Sequence, residues 1–452
     1  MEKIFFSIPS FWSFRNFVYS DLIEVLKVKY EFIFLIPQES SFSKVFDSLG
    51  FSYIEYPTKP NSSVNMLLLK ALNMKLLRNN KVLQNSKLVM LSLKIPKLFA
   101  GKVIHFLAIL ISFIFSKKIL FYFYQLASRD KRYDSIIEEI EKDPLATIVA
   151  TNFVVKHESV LFCHFLRLKN KKINFINSFD NTTSRGYVPY AIFDKHIVWN
   201  SKMKEELVSI FKINKDSIDI LGTPQFDLLK NGSGIKLKTE DRLFNFVENE
   251  NYILYCGGHH TLLPFEVKIV SDVIKSVNSN FQNLHFIIRM HPLDDWDRWK
   301  SIERMYENVV FDFPWKQNLN NPLLTIPDKY EYMRHARILN NAKMILNIGS
   351  TSSLDGCVLN IPVYNLCFKN YNMVGELDMI YRSEHFAPII ASNSAPLIYD
   401  INQLFIIITQ LLKGEEPKEM SERRINFSRE YCGYSGLNNF IERFDKFISK
   451  VN

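Results

Sequence analysis

Short apolar runs alternate with amphipathic stretches along most of this chain, and the alternation occurs as two series separated by one polar stretch. A run of strand length followed by a helical pattern, repeated, makes βαβ units, which close only as a mostly parallel sheet with helices on both faces. In the first series Lys3–Ile8 reads as a strand, Phe17–Lys27 as a helix, Phe32–Ile36 as a strand, Ser41–Leu49 as a helix and Tyr53–Glu55 as a short strand. After an interruption come helix Ser135–Lys142, ended by Pro144, strand Thr147–Thr151, helix Glu158–Lys169, strands Ile173–Asn177 and His196–Val198, helix Lys202–Phe211 and strand Ile218–Leu221. The stretch Lys230-Asn-Gly-Ser-Gly234 and Lys236–Arg242 combines Gly, Ser and mixed charge and reads as a linker. A second series follows: strand Tyr252–Cys256, helix Phe265–Val277, strands Leu284–Arg289 and Val309–Phe311, helix Tyr330–Asn341, strand Met344–Ile348, a short helix from Ser353, strand Pro362–Asn365 and helix Gln403–Lys413. The expectation is α/β: two doubly wound Rossmann-like domains, residues 1–232 and 243–415, facing a cleft. Residues 416–452 are expected to add two helices that cross back to the first domain. Ligands in such sheets bind beyond the carboxyl ends of the strands.

Charge is distributed unevenly. Twelve of the 56 Lys and Arg, and none of the 47 Asp and Glu, fall between Tyr56 and Arg129, so the remaining chain, with 44 basic and 47 acidic residues, is near neutrality. That insertion, residues 57–129, is also strongly apolar, with Met66-Leu-Leu-Leu69 and Val103-Ile-His-Phe-Leu-Ala-Ile-Leu-Ile111. Lysines among large apolar residues suit helices on an anionic membrane surface; core-packed helices with snorkelling lysines are the alternative. The uncharged run from Val103 to Ser116 is too short to span a bilayer. Nucleic acid is not expected as a partner, since the cations lack interleaved stacking aromatics or a known motif. Five scattered cysteines without a Cys-x-x-Cys pair argue against a disulfide framework or a zinc site. With no signal peptide visible, the expected location is the cytoplasm, peripheral on the inner face of the membrane.

Four segments carry candidate chemistry. Ile288-Arg289-Met290-His291-Pro292 ends an apolar strand, so His291 emerges at the ligand-binding edge, and Arg289 offers a planar fork for phosphate oxygens. Ile348-Gly349-Ser350-Thr351-Ser352-Ser353 is a tight turn at a helix start; Ser350, Thr351, Ser352 and Ser353 are candidate phosphate ligands, with simple helix capping as the bland reading. Gly257 and Gly258 allow close backbone approach to a ligand, and the following His259-His260 lack metal-ligand spacing. Asp294, Asp295 and Asp297 read as a solvated helix start, and no metal is assigned. In the first domain, Ser178-Phe-Asp-Asn-Thr-Thr-Ser-Arg-Gly186 follows a strand and places Asp180 among hydroxyls as a general base, or alternatively in an Asx-type turn. His157, beside Glu158 at the preceding strand-to-helix junction, is the rival base. Arg15-Asn16 mark another acceptor-side position.

Six segments in order resemble one family: Ser178–Gly186, Val198-Trp-Asn200, Leu221-Gly-Thr-Pro-Gln-Phe-Asp227, Ile253-Leu-Tyr255, Arg289-Met-His-Pro292, and Ser350–Ser353 followed by Ile361-Pro-Val363. Over residues 145 to 370 the chain is similar to bacterial surface-carbohydrate glycosyltransferases related to the CDP-glycerol glycerophosphotransferases, which have the GT-B fold. The resemblance implies a nucleotide-activated sugar as donor substrate, no further cofactor, no metal, donor phosphate on His291 and the serine turn, and a surface-polysaccharide or lipid-linked glycan acceptor on the first domain. It also points, through the region Glu376, Glu384 and His385, to contacts with ribose or donor sugar. The turn lacks the Asp and Tyr of the glycerophosphotransferase pattern, which favours sugar transfer over glycerol-phosphate transfer. A sugar-nucleotide 2-epimerase and a non-catalytic subunit of a glycan assembly complex remain as alternatives; the insertion argues against the first, since an epimerase needs no membrane acceptor.

Overall fold

The structure, a computed structural model, describes residues 1–38, 41–58, 63–84, 89, 99–292, 294–313, 326, 328–368, 374–434, 436 and 439–451. The chain divides into two compact units. The first holds the described residues of Met1–Pro224, Asn318–Ile326 and Asn438–Asn452, the second those of Gln225–Gln317 and Pro327–Leu437.

The first unit is built on seven strands, β1 (Glu2–Ser7), β2 (Tyr30–Pro37), β3 (Tyr53–Tyr56), β4 (Thr147–Ala150), β5 (Lys172–Phe175), β6 (Lys195–Val198) and β7 (Ile218–Ile220). They lie in the order β3-β2-β1-β4-β5-β6-β7, every pairing parallel. In β1, Ile4 faces Phe32 on one side and Thr147 on the other. Strand order reverses between β1 and β4, so the crevice at their carboxyl ends is the expected ligand site. Continuous apolar runs such as Ile4-Phe5-Phe6 are fully buried, as strands covered on both faces must be.

Helix Asn439–Val451 closes this unit. Phe444 meets Phe6 and Phe440 meets Phe175 edge-on, while the Tyr30 hydroxyl donates to Asp445 at 2.9 Å. The helix expected at Phe17–Lys27 is two helices instead. Ser10 caps the first, Phe11–Phe17, its hydroxyl accepting from the Ser13 amide, and Asp21, at φ 65°, separates it from Leu22–Leu26.

The insertion is helical where described, with helices Ser63–Arg78, Lys81–Gln84, Phe99–Ile114 and Lys117–Ala127. Helix Ser63–Arg78 packs on the last two. The Tyr133 hydroxyl donates to the Pro57 carbonyl at 2.8 Å and ties the ends of the insertion together. Among the described residues, no helix is long and apolar enough to cross a membrane.

The second unit repeats the plan with β8 (Tyr252–Cys256), β9 (His285–Arg289), β10 (Val309–Asp312), β11 (Met344–Asn347), β12 (Val363–Leu366) and β13 (Leu397–Ile398). Their order is β10-β9-β8-β11-β12-β13, again all parallel, with the reversal between β8 and β11. Of the segment read as a linker, Lys230–Ser233 is the end of a helix, Gln225–Ser233, and residues 234–242 are irregular. Its Gly232 is a packing residue: a Cβ there would lie 2.7 Å from the Met333 Cα and 2.9 Å from the Ala336 Cβ, on helix Lys329–Asn341. A glycine at a close helix crossing has the same sequence signature as one in a flexible loop. The unit boundary accordingly falls at Pro224–Gln225 rather than at residue 232.

Candidate functional site

The parallel pairing of β8 with β9 and β11 brings three predicted segments to one sheet edge, around the reversal point of the second unit. The loop after β8 is held against the end of β9: the Gly257 amide donates to the Arg289 carbonyl at 2.8 Å, and a Cβ on Gly257 would sit 3.3 Å from that oxygen. The Gly258 amide donates at 2.7 Å to Glu266 Oε1, which also accepts from the Tyr255 hydroxyl at 2.8 Å. Both glycines are therefore used for packing within the protein. The loop places His259 edge-on to His291, ring centroids 5.3 Å apart, and His260 stacked on His259 at 4.6 Å.

Burial, with His259 beside it, pushes the His291 pKa down to about 4, and burial lowers that of His259 as well. Both rings are thus neutral at physiological pH. A neutral imidazole donates one hydrogen bond without requiring a counter-charge, and an arriving phosphate raises its proton affinity.

The third segment is the turn after β11. Gly349, at φ 63°, requires glycine twice over, because a Cβ would also come within 2.2 Å of Ile380 Cγ2. Asn347 accepts from the Ser350 amide at 2.9 Å, and Asn365, at the same level of β12, accepts from the Gly349 amide at 3.2 Å. Ser353 is fully buried, its hydroxyl set between these two asparagines at 3.2–3.4 Å. In this arrangement it is a strut of the turn. Ser352 is also buried, and its amide is bonded to the Ser350 hydroxyl. Ser350 and Thr351 remain the accessible hydroxyls, at the start of helix Ser352–Leu359, where the dipole favours an anion. Ile380 lies in the last turn of helix Val374–Tyr381, so the loop carrying half-buried Glu384 and His385 comes soon after the residue that covers the turn. The Glu376 side chain lies outside the described residues.

Two expectations change here. Arg289 is not a free fork: its guanidinium is held on Asp312, the last residue of β10, whose other oxygen takes Arg334, which in turn binds Asp241. Burial alone would raise the Asp312 pKa; the two guanidinium groups hold it low. Asp294 is not solvated either. Its carboxylate is buried, accepts from the Trp299 indole at 2.7 Å and pairs with Arg298, with His260 3.6 Å away. Only Asp295 behaves as a cap, accepting from the Asp297 amide at 3.0 Å.

In the first unit, the reversal point holds His157. Its Nε2 lies 2.8 Å from the Pro9 carbonyl, after β1. A carbonyl only accepts, so Nε2 carries the proton and Nδ1 keeps a lone pair. Burial lowers the pKa of this ring, which favours the neutral, basic form. Neighbouring Glu158 is fully buried and accepts from the amides of Thr151 and Asn152 at 3.2 and 2.9 Å. Asp180 is engaged locally: Ser178 and Ser184 donate to its two oxygens, and Arg185 stands 3.9 Å off. That is a carboxylate organising its own turn. Asn16 donates to Asn177 at 2.8 Å and accepts from Arg15, fixing the loop after β5 to the first helix.

No protein-family model and no curated protein sequence matches the chain. Solved structures do. A UDP-GlcNAc 2-epimerase from Neisseria meningitidis bound to UDP-GlcNAc is similar over 99% of this chain and 100% of its own, with a TM-score of 0.56 at 12% identity. A glycosyltransferase from Rickettsia africae aligns over 100% and 98%, TM-score 0.51, at 10% identity. Anabaena HepE in complex with UDP and glucose aligns over 99% and 100%, TM-score 0.52, at 9% identity. The chain has the GT-B fold. Identities this low establish the architecture alone.

Glu266, Asn347 and Asn365 escaped the reading of the sequence. The available signal for Glu266 was one carboxylate at the buried start of an otherwise ordinary amphipathic helix, Glu266–Asn278. Burial raises its pKa to about 7, against hydrogen bonds that favour the charged form. A raised carboxyl pKa confers stability that is complete below the ordinary value near 4.5 and is lost as pH rises through 7. Glu266→Gln keeps the accepting oxygen and mimics the protonated acid. It is therefore expected to gain stability relative to the native protein as pH rises from 5 to 8, on the order of 3 kcal/mol in total. Paired denaturant titrations across that range test this; a constant difference would refute it.

Proposed function

We propose that the protein is a GT-B glycosyltransferase that moves a sugar from a nucleotide-activated donor to a surface-polysaccharide or lipid-linked glycan acceptor, working peripherally at the inner face of the cytoplasmic membrane. The observation that carries the reading is the grouping, at the reversal point of the second sheet, of neutral His291 and His259 with the hydroxyls of the Gly349–Thr351 turn. These are hydrogen-bond donors for a diphosphate, set at one sheet edge. In the proposed reaction an acceptor hydroxyl oxygen bonds to the anomeric carbon, and the bond from that carbon to the phosphate oxygen breaks. The nucleoside diphosphate leaves with the electron pair, and the acceptor proton passes to His157 Nδ1. His157 is preferred over Asp180 as base because its free nitrogen is fixed by the Pro9 contact, whereas both Asp180 oxygens are occupied. Charge on the leaving group is assigned to side chains and helix dipole, with no metal.

Thermal denaturation with UDP, GDP, CDP, dTDP, CMP and CDP-glycerol in turn tests the donor site. One nucleoside diphosphate is expected to raise Tm by about 5 °C or more at roughly 100 times its Kd. Selectivity for CDP-glycerol would return the glycerol-phosphate alternative, and no response to any of them would favour a non-catalytic subunit. A second reading, a sugar-nucleotide 2-epimerase, is supported by the resemblance to the Neisseria enzyme. It predicts inversion at C2 of a UDP-sugar without any acceptor, observable by proton NMR, and the transferase reading predicts none.

A further inference from the structure

Helix Phe99–Ile114 is amphipathic in the wrong sense for a soluble protein. The residues it buries are His105, Ala108 and Ser112. Its large apolar side chains face outward: Phe99 is 82%, Phe106 63% and Phe113 64% exposed, with Val103, Leu110 and Ile114 in the same stripe. The spacings of four and three residues keep these positions on one helix face. Helix Lys117–Ala127 continues the apolar surface with Ile119, Tyr122 and Phe123. Cations flank it. Lys102 and Lys118 are exposed, and the Arg78 guanidinium lies 3.4 Å above the Phe113 ring. From Tyr56 to Arg129 there is no acidic residue to oppose them.

We infer that this face is a membrane-docking element that lies in the plane of an anionic bilayer, with the stripe among the acyl chains and the lysines at the headgroups. The inference rests on the proposed membrane-proximal acceptor for its purpose, but not for its physics. An apolar face alone would suit a protein partner equally well; flanking cations, in a sequence stretch without an acidic residue, select an anionic lipid interface. The helix is too short to span, so it lies flat.

The same insertion rests on the loop that follows Asp180. Asn73, in helix Ser63–Arg78, accepts from the Tyr187 amide and fills the space beside Gly186, where φ is 71° and a Cβ would collide with it. Phe121 meets the Tyr187 ring edge-on at 6.4 Å, and Lys117 Nζ lies 5.1 Å from that ring's centre. Docking therefore sets the candidate acceptor loop at a fixed distance from the lipid surface.

The test is sedimentation of the full chain with vesicles of phosphatidylcholine alone and of phosphatidylcholine mixed equally with phosphatidylglycerol, without donor. Binding is expected only to the anionic vesicles, weakened by salt. Phe106→Ser with Leu110→Ser, both exposed and so compatible with an intact fold, should reduce it about tenfold or more. Lys102→Gln with Lys118→Gln should reduce both the binding and its salt dependence. Failure to bind anionic vesicles, or undiminished binding by the apolar double variant, overturns the inference. So does a concentration-dependent dimer that the double variant abolishes, since the face would then belong to a second copy of the chain. Nucleotide-induced stabilisation is read separately, so loss of vesicle binding and failure of the transferase reading are distinguishable.

Discussion

His291→Ala will leave the protein folded and lower transferase turnover by about 10²–10³-fold. The side chain carries no buried charge, since burial keeps it neutral with a pKa of about 4. Its removal opens space at the sheet edge without orphaning a charge, so the midpoint of thermal unfolding should move by no more than a few degrees. In the proposed reaction, what is lost is a donor placed where negative charge accumulates as the diphosphate departs. The deficit should appear in kcat, with a smaller change in the affinity for the free nucleotide, because His259 and the Ser350 turn remain. Glutamine, which retains a donor, should recover part of the activity. Near-native turnover in the alanine variant would remove His291 from the site and with it the main support for the donor-binding reading.

The largest effect on stability is expected from Asp312→Ala. This carboxylate is fully buried and neutralises two guanidinium groups, those of Arg289 and Arg334. Truncating one partner of a buried ionic cluster leaves the others desolvated and uncompensated, a cost of about 3–5 kcal/mol. For a unit of this size that corresponds to a fall of roughly 10 °C in its unfolding temperature. The loss should be specific to the second unit, which proteolysis and hydrogen exchange can resolve. Asp312→Asn keeps accepting oxygen but not charge and should fall between. If alanine were tolerated within 1 kcal/mol, the network would be incidental and Arg289 would be free to serve a ligand after all.

The two outcomes bear on what the sequence discloses. Strand order was not legible, but the alternation of periods was, and chain order plus parallel crossovers leave few ways to arrange it. The local pieces of the site were visible for the same reason: Arg289-Met-His-Pro292 and the serine turn are each strand, turn and helix start within a dozen residues. What escaped was everything decided by a partner distant in sequence. Arg289 looks like a phosphate ligand until β10 places Asp312 beside it, and Arg334 arrives from yet another segment. Asp294 looks solvated until Trp299 and Arg298 fold over it. Gly232 looks like a hinge until Met333 is packed against it. Asn347 and Asn365 look like ordinary strand ends; only their parallel pairing makes them a pair of struts. Polar residues in this chain declare their chemistry locally but their availability only through tertiary contacts.

Helix Asn439–Val451 packs Phe440 and Phe444 against Phe175 and Phe6, yet it is synthesised after the whole of the second unit. While the ribosome makes the intervening two hundred or so residues, the first sheet waits with an uncovered aromatic face. Vectorial synthesis thus reverses the usual order in which the N-terminal domain matures first. The nascent first unit therefore keeps Phe6 and Phe175 uncovered until helix Asn439–Val451 is made.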